Sequence, residues 1–284
     1  MDLRARAEKL KEIEGFDRPS ELLSKAVAQA FPAGPVKDFL SGTWLGHSLH
    51  PMLTDVPIGA WTSALVLDLI GGKKAEPAAD LLVGTGIVAT VPTAIAGLSD
   101  WSDTYGEDRR IGFAHLLFNE LALAAYIASL TARRRGRRGL GKLLGLTGAG
   151  AVSVGAYLGG HLSLSRGIGV NQTAFEDGPS DWTFLCAEAE LVEGQPKKID
   201  LGQIAIFVLK DGDRLYGLSD RCSHLSGPLH EGEISEGCVT CPWHGSRFSL
   251  DDGSVVRGPA TDPQPVYEMR EVDGRVEVRA RESH

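Results

Sequence analysis

The sequence predicts a multidomain protein: an all-α bundle of four transmembrane helices followed by an all-β domain. Three observations carry this expectation. Four apolar stretches, each near the length of a bilayer span, occupy residues 52–70, 81–98, 112–131 and 143–164. From Asp181 the pattern changes to short runs of β-forming residues separated by turn signals. Within that second part lie two ligand pairs, Cys222-Ser223-His224 and Cys241-Pro242-Trp243-His244.

At 284 residues the chain has room for two domains that each bury a core. A formal charge of −8 leaves no basic field to recruit nucleic acid. The pairs use two of four cysteines, and Cys186 and Cys238 need not bond, so this is not a disulfide scaffold. The opening residues are charged throughout and contain no apolar h-region, so no secretory signal is expected there. No repeat with a period of roughly 20 to 50 residues is found.

The expected divisions are a polar helical lead (1–46), a four-helix membrane domain (47–166), a linker (167–180) and the β domain (181–284). In the lead, Leu3, Leu10 and Ile13 recur at helical spacing, and a second short helix over 20–31 stops at Pro32-Ala33-Gly34-Pro35. This lead is either an amphipathic element at a membrane surface or a solvated cap. In the apolar stretches a carboxylate is costly in lipid, so Asp68 and Glu120 should face the bundle interior or an interface. Pro57 and Pro92 should bend two helices. A soluble four-helix bundle is the alternative, but the outward faces lack the Glu and Lys that solubility needs. Gly155 and Gly159 have the small-xxx-small spacing that lets helices approach closely.

Loop charge sets the expected orientation. Lys73 and Lys74 in the first connection, and Arg133, Arg134, Arg135, Arg137, Arg138 and Lys142 in the third, mark the cytoplasmic side of a multi-pass bacterial membrane protein. The second connection is mostly acidic. The β domain is then extracytoplasmic. Arg137-Arg138 before a glycine-rich span also loosely resembles an internal twin-arginine export signal, which gives the same placement. In the β domain, strands are expected over 182–186, 205–209, 215–218, 266–270 and 276–279.

One Cys and one His from each of two loops can hold a two-iron cluster asymmetrically, with Cys222 and Cys241 on one iron and His224 and His244 on the other. A Cys₂His₂ zinc site is the competitor, although it usually pairs Cys with Cys and His with His. Cys238 reads as a buried small hydrophobe or an extra redox group, His230 as a loop-surface histidine or a ligand, and Cys186 as core.

Residues 181–282 strongly resemble the Rieske family, in which two such loops close over a [2Fe–2S] cluster and a proline-bearing loop covers it. Gly258-Pro259-Ala260 resembles that third element. The resemblance implies that the inter-loop disulfide of high-potential respiratory members is absent, because Gly227 and Trp243 stand at its two positions. It also implies that Ser246 donates to a cluster sulfur, whereas Phe248 replaces a donating tyrosine, so an intermediate potential is expected. Residues 40–170, with Gly46-His47-Ser48-Leu49-His50-Pro51 followed by Asp55, Pro57 and Gly59, resemble a bacterial family of four-helix membrane domains of unknown function.

Four histidines of the membrane half, His47, His50, His115 and His161, should converge on the outer face. They are candidates for haem b or, with Asp55, for another metal, or are interfacial residues bonding backbone and water. The function expected is a membrane-anchored electron carrier between a membrane donor such as a quinol and a redox partner, not a complete enzyme. The alternatives are a component of an oxygenase or other oxidoreductase system and a cluster-based redox sensor. After His244 the only histidine is His284, so no oxygenase domain with a two-histidine, one-carboxylate iron site is expected downstream.

Overall fold

The computed structural model describes residues 2–281. The chain forms two compact units, one of residues up to Phe31 with Leu49–Ile168 and one of Pro32–Ser48 with the residues from Gly169 onward. The expected lead is therefore divided. Helices α1 (Leu3–Glu8) and α2 (Asp17–Ala30) belong to the helical unit, while α3 (Pro35–Ser41) folds with the β unit. Proline at the start of α3 and left-handed Gly42 at its end delimit it.

Four long helices follow: α4 (Leu49–Ile70), α5 (Glu76–Trp101), α6 (Gly106–Arg134) and α7 (Arg138–Arg166). All four are long and apolar enough to cross a membrane. Pro57 and Pro92 lie inside α4 and α5, and both helices continue through them. Glu107 and Asp108 open α6 and Arg133 and Arg134 close it, which suits the helix dipole. Left-handed Gly167 ends α7. Each helix packs along its sequence neighbour, and α4 also meets α7, which leaves α4 and α6 diagonal to one another.

The helical unit is built twice. His50, Trp61 and Asp68 on α4 recur at the same intervals as His115, Tyr126 and Arg133 on α6. Gly86, Thr93 and Gly97 on α5 recur as Gly148, Gly155 and Gly159 on α7. The contacts recur with them. A side chain at Gly86 would collide with Trp61, and one at Gly148 with Tyr126. The two rings stack across the diagonal at 4.1 Å. This parallel repeat has a longer period than the windows searched in the sequence.

At the end of that diagonal lies a buried charge cluster. The Arg133 side chain is 1% exposed and bonds both oxygens of Asp68, and its Nη1 donates to Asp80 Oδ1 at 3.1 Å. Arg138 donates to Asp80 at 2.6 Å, and Lys142 to the Asp68 carbonyl at 2.7 Å. Asp68 thus faces inward as expected. Glu120 does not: it lies exposed on α6, because the inward face of that helix is set by His115, Ala122, Tyr126, Ser129 and Arg133. Three cations counted as loop charges, Arg133, Arg138 and Lys142, are helical and tied to Asp68 and Asp80.

The β unit has two antiparallel sheets. The larger contains β1 (Thr183–Ala187), β2 (Lys197–Leu201), β3 (Ile204–Asp211), β4 (Arg214–Ser219), β9 (Val266–Val272) and β10 (Arg275–Ala280), ordered β1-β10-β9-β4-β3-β2. The smaller contains β5 (Glu233–Ser235), β6 (Cys238–Thr240), β7 (Arg247–Ser249) and β8 (Val255–Arg257) in sequence order. Asp273 and Gly274, both with positive φ, form the tight hairpin between β9 and β10. Along β3 the side chains alternate between two cores. Phe207 and Leu209 join Leu218, Leu229, Val239, Phe248 and both paired cysteines, while Ile206 and Val208 join Leu185, Tyr267 and Val278.

Replacing Arg133 with Met leaves Asp68 buried without its main partner, a loss of about 3–5 kcal/mol. We expect a clear drop in the thermal midpoint of the detergent-solubilised chain, largely reversed in the Asp68→Asn/Arg133→Met double variant.

Candidate iron–sulfur centre

Two loops of the same construction carry the Cys–His pairs. In the first, between β4 and β5, the Cys222 N–H donates to the Gly227 carbonyl at 2.9 Å, and the Ser226 N–H returns to the Cys222 carbonyl at 2.9 Å. In the second, between β6 and β7, the Cys241 N–H donates to the Ser246 carbonyl at 2.8 Å, and the Gly245 N–H returns to the Cys241 carbonyl at 3.1 Å. Ser226 and Gly245, at equivalent positions, both have positive φ, which makes each turn tight. Such a turn puts a cysteine and the histidine two or three residues later on one loop tip.

The tips bring the donors together in two pairs. Cys222 and Cys241 are buried and free of any disulfide. The Cys222 thiol donates to the Cys241 sulfur, which holds Cys241 down to about 7 and pushes Cys222 well up. Backbone N–H groups of His224 and Leu225 point to the Cys222 sulfur, and those of Trp243 and His244 to Cys241. The His224 and His244 rings stand 5.1 Å apart at 88°. Burial, then the neighbouring His244 and Lys37, hold His224 down to about 3, which keeps it in the neutral, metal-ligating form. Among the described residues no three His, Cys, Asp or Glu stand close enough to hold one ion, which counts against a mononuclear zinc site. A sulfur pair opposite an imidazole pair is the donor set that a [2Fe–2S] cluster takes, one pair to each iron.

A shell of polar residues fixes these loops. Ser246 is fully buried, and its Oγ accepts from the Ala260 N–H at 3.0 Å, so its hydroxyl proton is left to donate elsewhere. Gln264 joins the first loop to the third: its Oε1 accepts from the Ser223 N–H at 3.0 Å, and its Nε2 donates to the Arg221 carbonyl at 2.9 Å. Gln264 was invisible to motif reading because its role comes from a long-range contact. The segment Pro32–Ser48 was equally unforeseen. Thr43 donates to the Ala260 carbonyl at 3.1 Å, Asp38 accepts from the Gly258 N–H, and Ala33 abuts Gly245. Lys37, only 4% exposed, lies beside His224. His224 and His244 are half-buried, because α3 and its flanks lie on the ligand loops.

Gly227 occupies one expected disulfide position, and a Cβ there would fall 2.6 Å from the Cys241 sulfur and 3.2 Å from the Trp243 ring. The pair Gly227 and Trp243 is thus in contact where the disulfide of other members would lie. Phe248 is fully buried core. His230 is no ligand: its Nδ1 bonds Asp220 Oδ2 at 2.8 Å. Cys238 is buried in β6 and Cys186 in β1. His284 lies outside the described residues.

His50, His115 and His161 lie at the end of the bundle where α4 and α6 begin and α7 finishes, as expected, but the four membrane-half histidines do not form one cluster. His47 belongs to the β unit, where its exposed ring faces the Ser48 carbonyl at 3.1 Å. His161 bonds Glu8 at 3.1 Å. Only His50 and His115 meet, with ring centroids 6.3 Å apart. Asp55 is exposed on α4.

Comparison with known proteins agrees with this geometry. Residues 181–268 match the Rieske [2Fe-2S] domain, and residues 46–172 match the family described as Predicted membrane protein (DUF2231). The ferredoxin subunit of anthranilate 1,2-dioxygenase from Burkholderia cepacia is 39% identical over 99 residues, 35% of this chain and 92% of that protein. The ferredoxin subunit of 3-phenylpropionate/cinnamic acid dioxygenase from Escherichia coli K12 is 32% identical over 94 residues, 33% of this chain and 88% of that protein. Among solved structures, the ferredoxin of carbazole 1,9a-dioxygenase from Nocardioides aromaticivorans IC177 is 26% identical, covering 36% of this chain and all of that one at a TM-score of 0.34. The chain belongs to the Rieske [2Fe–2S] family, with a ferredoxin-like electron-transfer domain behind a DUF2231 membrane domain.

Two variants test the site. Gly227→Ala should fold yet lose most of its cluster, read as the loss of the Rieske electron paramagnetic resonance signal per chain. Ser246→Ala should retain the cluster and lower its potential by on the order of 100 mV, the equivalent of one hydrogen bond to a charged acceptor.

Proposed function

We propose that this protein is a membrane-anchored electron carrier, passing single electrons between a membrane donor, a quinol or a membrane redox protein, and a redox protein partner. The observation that carries the reading is the meeting of Cys222, Cys241, His224 and His244 as two like pairs on matched loops. When bound there, a [2Fe–2S] cluster supplies a one-electron couple. The chain's part is to hold two sulfurs against backbone N–H groups, to keep His224 neutral by burial, and to aim the Ser246 hydroxyl into a dry interior.

Four apolar helices support anchoring in a lipid bilayer. Since Pro32–Ser48 folds with the β domain, the segments before and after the four spans occupy the same side of any membrane they cross. Lys73, Lys74, Arg134, Arg135 and Arg137, which form no ion pair among the described residues, favour an extracytoplasmic β domain. The relatives, ferredoxin subunits of dioxygenases, favour a second reading, in which the partner is an oxygenase.

Potentiometric titration of isolated membranes should give a reversible one-electron Rieske signal that stays with the membrane after alkaline extraction. Irreversible loss of the signal on oxidation would point to a sensor instead. A periplasm-dependent reporter fused after Arg166 should be active and one fused after Arg135 inactive; the reverse pattern overturns the orientation. Fast reduction of an oxygenase but not oxidation of quinol would decide for the second reading.

A further inference from the structure

We propose that His50 and His115 are the two axial ligands of a haem held on the internal two-fold axis of the helical unit. The site is independent of the iron–sulfur centre and rests on residues of the helical unit alone.

The two histidines are equivalent members of the internal repeat and reach toward each other from the diagonal helices α4 and α6. His50 Nδ1 lies 2.9 Å from the Thr93 carbonyl, and His115 Nδ1 lies 2.7 Å from the Gly155 carbonyl, the equivalent residue of α7. A ring nitrogen facing a carbonyl carries its proton, so in both rings Nε2 is the unprotonated nitrogen that can accept. That is the second contact by which ligand imidazoles are oriented. Asn119 Nδ2 lies 3.1 Å from His115 Nε2, but it also donates to the His115 carbonyl at 2.9 Å and keeps that bond if the ring takes a metal.

Spacing and donor count identify the ligand class. With metal–nitrogen bonds of about 2.1 Å and a ring centre roughly 1.1 Å behind its nitrogen, two imidazoles trans on one metal have centroids roughly 6.4 Å apart. The observed separation is 6.3 Å, with the ring planes at 89°. No third His, Cys, Asp or Glu joins them to complete the shell of a bare ion among the described residues. A metal satisfied by two trans imidazoles must bring its other donors with it, and an iron porphyrin brings four. At this level α5 and α7 present Thr93, Gly97, Gly155 and Gly159, and a side chain at Gly97 or Gly159 would meet the His50 or His115 ring. The absence of side chains at these glycines lets each imidazole lie directly against its flanking helix.

The test uses the full chain, expressed with a haem precursor and purified in detergent, and titrated afterwards with haemin. One haem per chain is expected beyond the two cluster irons, with a Soret band and a strongly anisotropic low-spin resonance suited to near-perpendicular imidazoles. His50→Ala and His115→Ala should each reduce the bound haem at least tenfold, while His47→Ala and His161→Ala retain it. His115→Met supplies a different axial atom and should shift the spectrum without abolishing it. Helical circular dichroism and the Rieske resonance, unchanged across the set, exclude misfolding as the cause of a loss. Three results overturn the proposal: no Soret band in cluster-replete chain even after haemin, a band that survives the double His50→Ala/His115→Ala variant, or a stoichiometric metal ion without porphyrin.

Discussion

Two sulfurs and two imidazoles have to be held within a few ångströms of each other, and the backbone meets this constraint by repeating one tight turn. In each ligand loop the cysteine's N–H and carbonyl are both tied within its own turn, across Ser226 or Gly245 in the left-handed region. The side chains at the tips therefore have little freedom left to lose when a metal binds. Everything around them serves that geometry. The small sheet carries the second loop, the core of Phe207, Leu209, Val239 and Phe248 supports both loops from below, and Gln264 clamps the first loop to the third.

The helical unit solves a different problem by the same means. Three pairs of side chains meet across one diagonal: two imidazoles, two stacked aromatic rings, and an aspartate with an arginine. In each hairpin the helix beside the diagonal is stripped to glycine where those large side chains lie. A repeat that keeps His with His and Gly with Gly but sets Trp against Tyr and Asp against Arg preserves the packing while letting the final pair carry opposite charges.

Much of this was legible in the sequence. The four apolar stretches all lie within observed helices, and the Cys–His spacing pointed to paired donors on two loops. Short strands were harder to see: β5 to β8 have three residues each, too few for an alternating pattern. Charge counting did not reveal the pairing of Arg133 and Arg138, because a cation at a helix end looks the same in sequence whether it faces solvent or a buried carboxylate. Helical phase separated Asp68 from Glu120, though only the packing revealed which face was inward. Sharing one end of the bundle did not make the four histidines one site, because His47 folds with the other unit and Glu8 bonds His161. Thr43, Asp38 and Gln264 left no local signal, since each acts on residues far away in the chain.

The segment Pro32–Ser48 carries a consequence for how the protein is made. It leaves the ribosome before any of the four spans, yet the loops it rests on are among the last residues synthesised. Until then Lys37, Asp38 and Thr43 lack the ligand-loop and third-loop residues they meet in the finished fold. The earliest-made part of this unit is therefore among the last to find its place, because its partners on the third loop do not exist until the spans have been made.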